Sequence, residues 1–351
     1  LSAAGGRELI DRNFKRDMVE KRGIYAFLAA IRFNFAVDVI EAMMRFNMQL
    51  TYIGYYGNEQ VQADIGYKRF SQREEGKKAK PIRRYPALNV ITPQTLRQRG
   101  IDTLTADVVI IGSGAAGAIL AEQLSDQGRE VLVLEKGPYV PPDEFTEDEV
   151  TQISRLYADG ALTISQSLRF TVLQGSCVGG STVVNNAVCF DTPDEVLDLW
   201  NHPVGINAGI DVPAYRESQK AVRERLQIQS IKESTRTRPW EDVLNPGDKM
   251  IDKGVANYLN QAVSQMEYDV VSANIQDCLG CGYCNIGCKY GRKLSMLDEV
   301  LPRAQEIHGD KFRIVSETEV DQLVMSGGRV TQIQARLRDG DAVLHLHLGD
   351  V

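Results

Sequence analysis

Three hydrophobic patterns follow one another between Ala106 and Glu135, and each predicts a different element. "ADVVII" is a short unbroken apolar run, as expected of a strand buried on both faces of a parallel sheet. "AAGAILAEQLSDQG" spaces its apolar residues at helical intervals and closes on Gly128, and "EVLVLE" reads as a second buried strand. Strand, helix, strand makes a βαβ unit, which places the chain in the α/β class with a Rossmann-like domain. Farther on, "FRIVSETEVDQLVMSGGRVTQIQARLRDGDAVLHLHL" alternates apolar and polar residues around Gly-rich turns, which predicts antiparallel strands.

The remaining segments read differently. Residues 141 to 170 look like loops and short helices with an acidic opening, and helical periodicity returns around 211–230 and 247–266. Residues 1–70 are predicted helical. Their most apolar stretch, "GIYAFLAAIRFNFAVDVIEAMMRFNMQL", is interrupted by Arg32, Asp38, Glu41 and Arg45, too many charges for a membrane span. It suits amphipathic helices that pack on a core or a partner, or that lie on a membrane surface. Residues 71–104 are basic and carry Pro81, Pro86 and Pro93, which predicts an extended connector. The expected organisation is a helical region over 1–70, this linker, a dinucleotide domain from 105–200 and 270–351, and a helical substrate or cap region over 201–269.

Bulk composition narrows the partners. A net charge of −7 over 351 residues argues against a nucleic-acid binder, which would be basic. No signal peptide is visible, so the expected location is cytoplasmic or peripheral to a membrane. Four of the six cysteines crowd into "DCLGCGYCNIGCKYGRK", unlike the spread pattern of a secreted disulfide framework.

The chemistry-bearing motifs sit on the βαβ unit and just beyond it. Gly112, Gly114 and Gly117 stand in G-x-G-x-x-G spacing between a predicted strand and helix. The first permits a tight turn, the second lets backbone approach a pyrophosphate, and the third lets helix and strand pack closely. Glu135, ending the next strand, can accept hydrogen bonds from a ribose diol and disfavours a 2′-phosphate. This unit alone does not separate NAD from FAD. "VLQGSCVGGSTVVNNAVCF" adds Gly175, Gly179 and Gly180, with Ser181, Thr182, Asn185 and Asn186 as hydrogen-bonding groups. Contact with a flat ligand and a polar turn entering a strand both remain open for it.

Cys278, Cys281, Cys284 and Cys288 follow C-x2-C-x2-C-x3-C spacing, the run that ferredoxins use to hold iron–sulfur clusters. The expected occupant is a 3Fe-4S or 4Fe-4S cluster. Lys289, where that run usually carries Pro, is a departure. Packed thiols, disulfides and zinc stay open. Cys177 and Cys189 read as small apolar residues.

"DVVIIGSGAAGAILAEQLSDQGREVLVLEKG" followed by "GSCVGGSTVVNNAV" resembles the glucose–methanol–choline (GMC) family of flavin oxidoreductases. The resemblance covers about Ala106 onward. It implies FAD, with Gly179, Gly180, Ser181 and Asn185 beside the flavin and its pyrophosphate and Val320 near the adenine. It also implies oxidation of an alcohol (fatty alcohol, sterol or sugar) by hydride transfer to flavin. "CGYCNIGCKYGRKLSMLDEVLPRA" looks like the long-chain alcohol oxidase branch, while three of the cysteines match a cluster-bearing sugar dehydrogenase branch. "IGYYGNEQVQADIGYKRF" resembles the small helical subunit of membrane-linked gluconate-type dehydrogenases. That implies an electron acceptor, protein or quinone, and subunit or peripheral membrane contact through the N-terminal region.

The family's catalytic His, with its His or Asn partner, is expected in a segment beyond Val351. His202, His308, His345 and His347 do not supply that pair, so the catalytic residues are unknown from this sequence. Two other readings stand beside the enzyme: a non-catalytic flavin and iron–sulfur electron-transfer or assembly subunit, and an NAD-dependent dehydrogenase.

Overall fold

The computed structural model describes residues 34–165, 170–230, 271–338 and 343–348. The predicted helical stretch 247–266 and the first part of the N-terminal helical region lie outside the described residues. The chain divides into two units, one of residues 1–68 and 159–173, the other of 69–158 and 174–351.

In the first unit, α1 (Asn34–Tyr56) is followed by α2 (Glu59–Asp64). Asn58 caps α2 by accepting from the Gln60 and Val61 amides, satisfying two donors that a helix start leaves free. Ile164 bridges Thr171 antiparallel. Among the described residues, no helix is long and apolar enough to cross a membrane.

The second unit opens on α3 (Glu74–Lys78), β1 (Val90–Ile91) and α4 (Pro93–Arg99). Residues 71–104 were expected as a connector, and here they are an integral part of the fold. β1 joins the parallel sheet, and α4 begins on a Thr92 cap with Pro93 in the first turn, where a missing N–H costs nothing. Pro93, one of the prolines that suggested a connector, thus marks a helix start.

β2 (Thr103–Ala106), β3 (Val108–Ile111), α5 (Ala115–Asp126) and β4 (Val131–Leu134) come next, and β3–α5–β4 is the anticipated βαβ unit. All four β4 side chains are buried, which accounts for its unbroken apolar run. After α6 (Glu149–Leu156), β5 (Val188–Cys189), α7 (Asp194–Asn201) and α8 (Val212–Arg225), β6 (Gln229–Ser230) pairs with β7 (Ser272–Ala273), as β5 does.

A single π-helical turn, Met296–Val300, leads into α9 (Leu301–His308). β8 (Phe312–Val315) completes a parallel sheet in the order β1-β8-β4-β3. β9 (Thr318–Ser326), β10 (Arg329–Leu337) and β11 (Val343–Leu348) are the predicted antiparallel strands, with β2 added parallel to β11. Gly327 and Gly328, both at positive φ, turn β9 into β10, as two-residue hairpins require. Leu132, Leu134 and Val315 of the first sheet meet Ile333, Ala335, Leu344 and Leu346 of the second in one core. The chain is thus a Rossmann-like α/β fold whose first sheet ends its strands at the site below.

Candidate functional site: a glycine-walled cleft and a cysteine cavity

An open cleft of about 440 Å³ lies at the C-terminal ends of β3 and β4, where ligands of open α/β sheets bind. Its walls come from three places: the turn after β3, the 174–182 segment and the start of β9. Gly112 adopts φ +93, a conformation that costs an L side chain strain. A Cβ on Gly117 would lie 2.0 Å from the Gly112 carbonyl oxygen, so only glycine lets α5 start so near the strand. A Cβ on Gly180 would lie 2.8 Å from Gly114 Cα. The two glycine segments quoted from the sequence therefore touch, backbone against backbone.

What holds them there is a side chain that motif reading passed over. Ser113 is fully buried; its hydroxyl donates to Glu135 Oε2 (2.6 Å) and accepts from the Gly179 amide (2.9 Å). The Ser113 amide also donates to Glu135 Oε2 at 3.0 Å, and the Gly137 amide to Oε1 at 2.9 Å. One buried carboxylate thus braces the first turn and, through Ser113, the second. Charge-assisted bonds of this kind are about twice as strong as neutral ones. Glu135 still lines the cleft, and a carboxylate's roughly four acceptor sites leave it capacity for a ligand hydroxyl.

Of the expected cofactor residues, Gly112, Gly114, Glu135, Gly180, Ser181 and Val320 line this cleft. Gly117 and Gly179 stand behind its wall as packing and turn positions. Asn185 is exposed one turn beyond, and its side chain caps the Ala187 amide. Lys136, Gln174, Thr318 and Glu319 also line the cleft without having been anticipated. No histidine does so among the described residues. His308 pairs with Asp126 at 2.8 Å, and His345 lies 3.1 Å from Gln332.

The four clustered cysteines line a second, far smaller cavity of about 20 Å³. All are free thiols. The cluster expectation for Cys278, Cys281, Cys284 and Cys288 finds no support, because no group of three or more His, Cys, Asp or Glu among the described residues is arranged to hold a metal ion. The thiols serve different packing groups. Cys278 lies against Ala187, Ala273 and Ile275, and Cys281 against Phe70, Tyr283, Ile286 and Tyr290. Burial raises the pKa of Cys278 and Cys284 and pushes that of Cys281 up to about 12, holding them as neutral thiols. Cys177, behind the cleft, is likewise pushed up by burial to about 12.

The basic 71–104 segment clamps this loop. Arg83 donates to the Lys289 carbonyl (3.1 Å), Arg84 to the Gly291 carbonyl (2.9 Å) and Gln276 Oε1 (2.9 Å), and the Ile82 amide to the Tyr290 carbonyl (3.0 Å). These positive charges serve the fold's own carbonyls. A buried ionic group ties α8 to α5 and α9: Arg225 reaches Glu122 (2.9 Å) and Glu299 (3.0 Å), and Arg303 reaches Glu122 (2.6 Å).

A Rossmann-like half whose first turn is locked to a second glycine turn is the architecture of a dinucleotide-binding domain. Comparison with known proteins agrees: residues 153–347 match the family model for GMC oxidoreductases and residues 110–143 that for an NAD(P)-binding Rossmann-like domain. The chain belongs to the GMC oxidoreductase family. It is 30% identical over 191 residues to long-chain-alcohol oxidase FAO3 of Arabidopsis thaliana, a match covering 54% of this chain and 23% of that one. It is 29% identical over 238 residues to the uncharacterized GMC-type oxidoreductase y4nJ of Sinorhizobium fredii, covering 67% of this chain and 43% of that protein. A crystal structure of formate oxidase overlaps 70% of this chain and 44% of its own at a TM-score of 0.43 and 13% identity. The chain spans less than half the length of these curated relatives.

Proposed function

We propose that this protein is an FAD-dependent oxidoreductase that oxidises a CH–OH group of an alcohol, with a fatty alcohol or sterol as the leading substrate class and a sugar behind them. The observation that carries this reading is the meeting of Gly114 with Gly180 under the Ser113–Glu135 brace. It leaves backbone bare on both walls of the cleft, which suits a pyrophosphate and a flat ring system. Family membership and the long-chain-alcohol oxidase relatives support the substrate class.

The residues present fit FAD. The N-terminus of α5 presents free amides at the cleft, as a helix that binds phosphate does. Glu135 would accept from ribose hydroxyls, and Val320 gives an apolar contact for an adenine. When bound, FAD supplies the hydride acceptor. This chain's residues hold the cofactor and orient it. No described residue is assigned as the base that takes the hydroxyl proton, and no electron step is routed through the cysteine cavity.

The test is purification of the protein followed by an absorbance spectrum, FAD titration and alcohol-dependent dye reduction. Bound flavin with alcohol-dependent reduction is expected. Flavin without turnover on any alcohol would favour the electron-transfer or assembly subunit. Nicotinamide without flavin in the cofactor extract would overturn the proposal in favour of an NAD-dependent enzyme. Whether the acceptor is oxygen, a quinone or a protein follows from which of them reoxidises the reduced form.

A further inference from the structure

Lys293 is the most deeply buried cation of the described chain, with 1% of its surface exposed. Its Nζ donates to three carbonyl oxygens: Val183 at 2.7 Å, Asn185 at 2.9 Å and Cys284 at 2.7 Å. Burial lowers the pKa of Lys293. Three carbonyl acceptors oppose that shift, because they take three N–H bonds and a neutral amine has two, so the geometry favours the ammonium. Among the described residues it makes no ion pair, although a buried charge is costly to leave without one. That cost is met by carbonyl dipoles drawn from two separate places.

The placement of those dipoles matters. Val183 and Asn185 directly follow Ser181 and Thr182, which line the dinucleotide cleft. Cys284 and Lys293 itself line the cysteine cavity. A second strut runs beside the first: the Met296 amide donates to Thr182 Oγ1 at 3.0 Å, and Thr182 donates to the Gly179 carbonyl at 2.7 Å. The cysteine loop is also bonded to itself. Besides the arginine clamp, Cys288 Sγ accepts from the Arg292 amide at 3.1 Å and the Lys293 amide at 3.4 Å.

We infer that Lys293 is a positioning residue that sets the second glycine turn in the cofactor cleft, using the cysteine loop as its anchor. The cysteine loop then has a role needing neither metal nor disulfide: it is the neighbour against which Ser181 and Thr182 are aimed. Cleft and loop are coupled, so a ligand in the cleft that orders residues 181–185 also orders the loop through the same ammonium. This inference rests on FAD being the ligand of the cleft.

The experiment uses the whole polypeptide, stripped of cofactor, with FAD as the probe. FAD affinity is measured by flavin fluorescence quenching, and alkylation of Cys284 and Cys288 by N-ethylmaleimide is followed by peptide mass mapping with and without FAD. In the unsubstituted protein FAD should slow alkylation of both cysteines at least fivefold. Lys293→Met should weaken FAD binding about tenfold or more, the scale of one lost charged hydrogen-bond group. At saturating FAD it should also remove the protection of Cys284 and Cys288. A merely destabilising substitution would leave that protection in place once the site is filled. If the unsubstituted protein binds FAD without protecting these two cysteines, the inference falls, whether or not the variant folds. If K293M binds FAD equally well and keeps the protection, it falls too. If the unsubstituted protein binds no FAD at all, the cofactor assignment itself is overturned, and this inference with it.

Discussion

The cleft and the cysteine cavity lie on either side of residues 181–185, yet they are built by opposite means. The cleft wall is backbone. Gly117 and Gly180 lack the side chains that would strike Gly112 and Gly114, so main chain meets main chain, and one buried carboxylate locks the result. The cavity wall is side chain: four thiols, Tyr283, Tyr290 and Lys293. A Cβ at Gly117 or Gly180 would strike backbone, whereas side-chain walls can repack. Substitutions should therefore hurt the cleft far more than the cavity, and this contrast can be broken experimentally.

The largest effect is expected for Gly117→Val. Its Cβ would sit 2.0 Å from the Gly112 oxygen, and neither partner can move without shifting α5 or β3. The variant should purify without flavin and lose several kcal/mol of stability, the range of severe overpacking and strain. Gly282→Ala in the cysteine loop is the matched control. It shares a positive φ of +84 but has nothing within 4 Å of the new Cβ. It should cost about 1–2 kcal/mol by strain alone, read by thermal melting, and keep its flavin. Equal losses in the two variants would refute the contrast.

Glu135→Gln comes next. The amide keeps the shape but presents N–H groups where Ser113 and Gly137 also donate. Leaving one or two buried donors unmet costs about 1–3 kcal/mol each, so FAD affinity should fall about 10- to 100-fold by titration. An unchanged affinity would show that the brace does not set the cleft.

These two regions also differ in how far they could be read from sequence. G-x-G-x-x-G is legible because its spacing encodes a local turn and the packing of one strand on one helix. Ser113 between those glycines was not legible, because its partner is the Gly179 amide, 66 residues away. The linker reading of 71–104 failed for a related reason. Pro93 and the arginines looked solvent-facing, and only the tertiary fold reveals a helix cap and carbonyl partners for them. The cysteine spacing matched a cluster run, but spacing does not report where each thiol points, and Cys278 and Cys281 face different packing groups. Lys293 carried no motif at all. Its acceptors at 183 and 185 lie more than 100 residues upstream.

A pH titration separates the two regions less sharply but tests the burial of their thiols. Cys177 behind the cleft and Cys281 in the cavity both have pKa values raised by burial to about 12. The unfolded chain loses these thiol protons near a pH of about 8.5. Between that pH and about 12 the native state therefore binds more protons than the unfolded state, and stability falls as pH rises. The slope is at most about 1.4 kcal/mol per pH unit for each thiol. Urea midpoints measured from pH 8 to 10.5 should decline, and less steeply in Cys177→Ala. A flat profile in the unsubstituted protein would mean that these thiols ionise freely in the fold.

The smallest effect is expected where the sequence motif looked strongest. Cys281→Ala removes one sulfur from a cavity wall that already includes Leu279 and Tyr283. Losing a small buried group leaves a void worth about 1 kcal/mol, and neighbouring side chains can close part of it. Flavin content should be unchanged, because the Lys293 strut ends on the Cys284 main-chain oxygen and not on a thiol. Iron and acid-labile sulfide, assayed on anaerobically purified protein, should be absent before and after the substitution. Stoichiometric iron lost on Cys281→Ala would overturn the packed-thiol reading. It would also turn Lys293 from a strut between two backbones into a cation set beside an anionic centre, and the contrast between the two walls would then be one of charge as well as of packing.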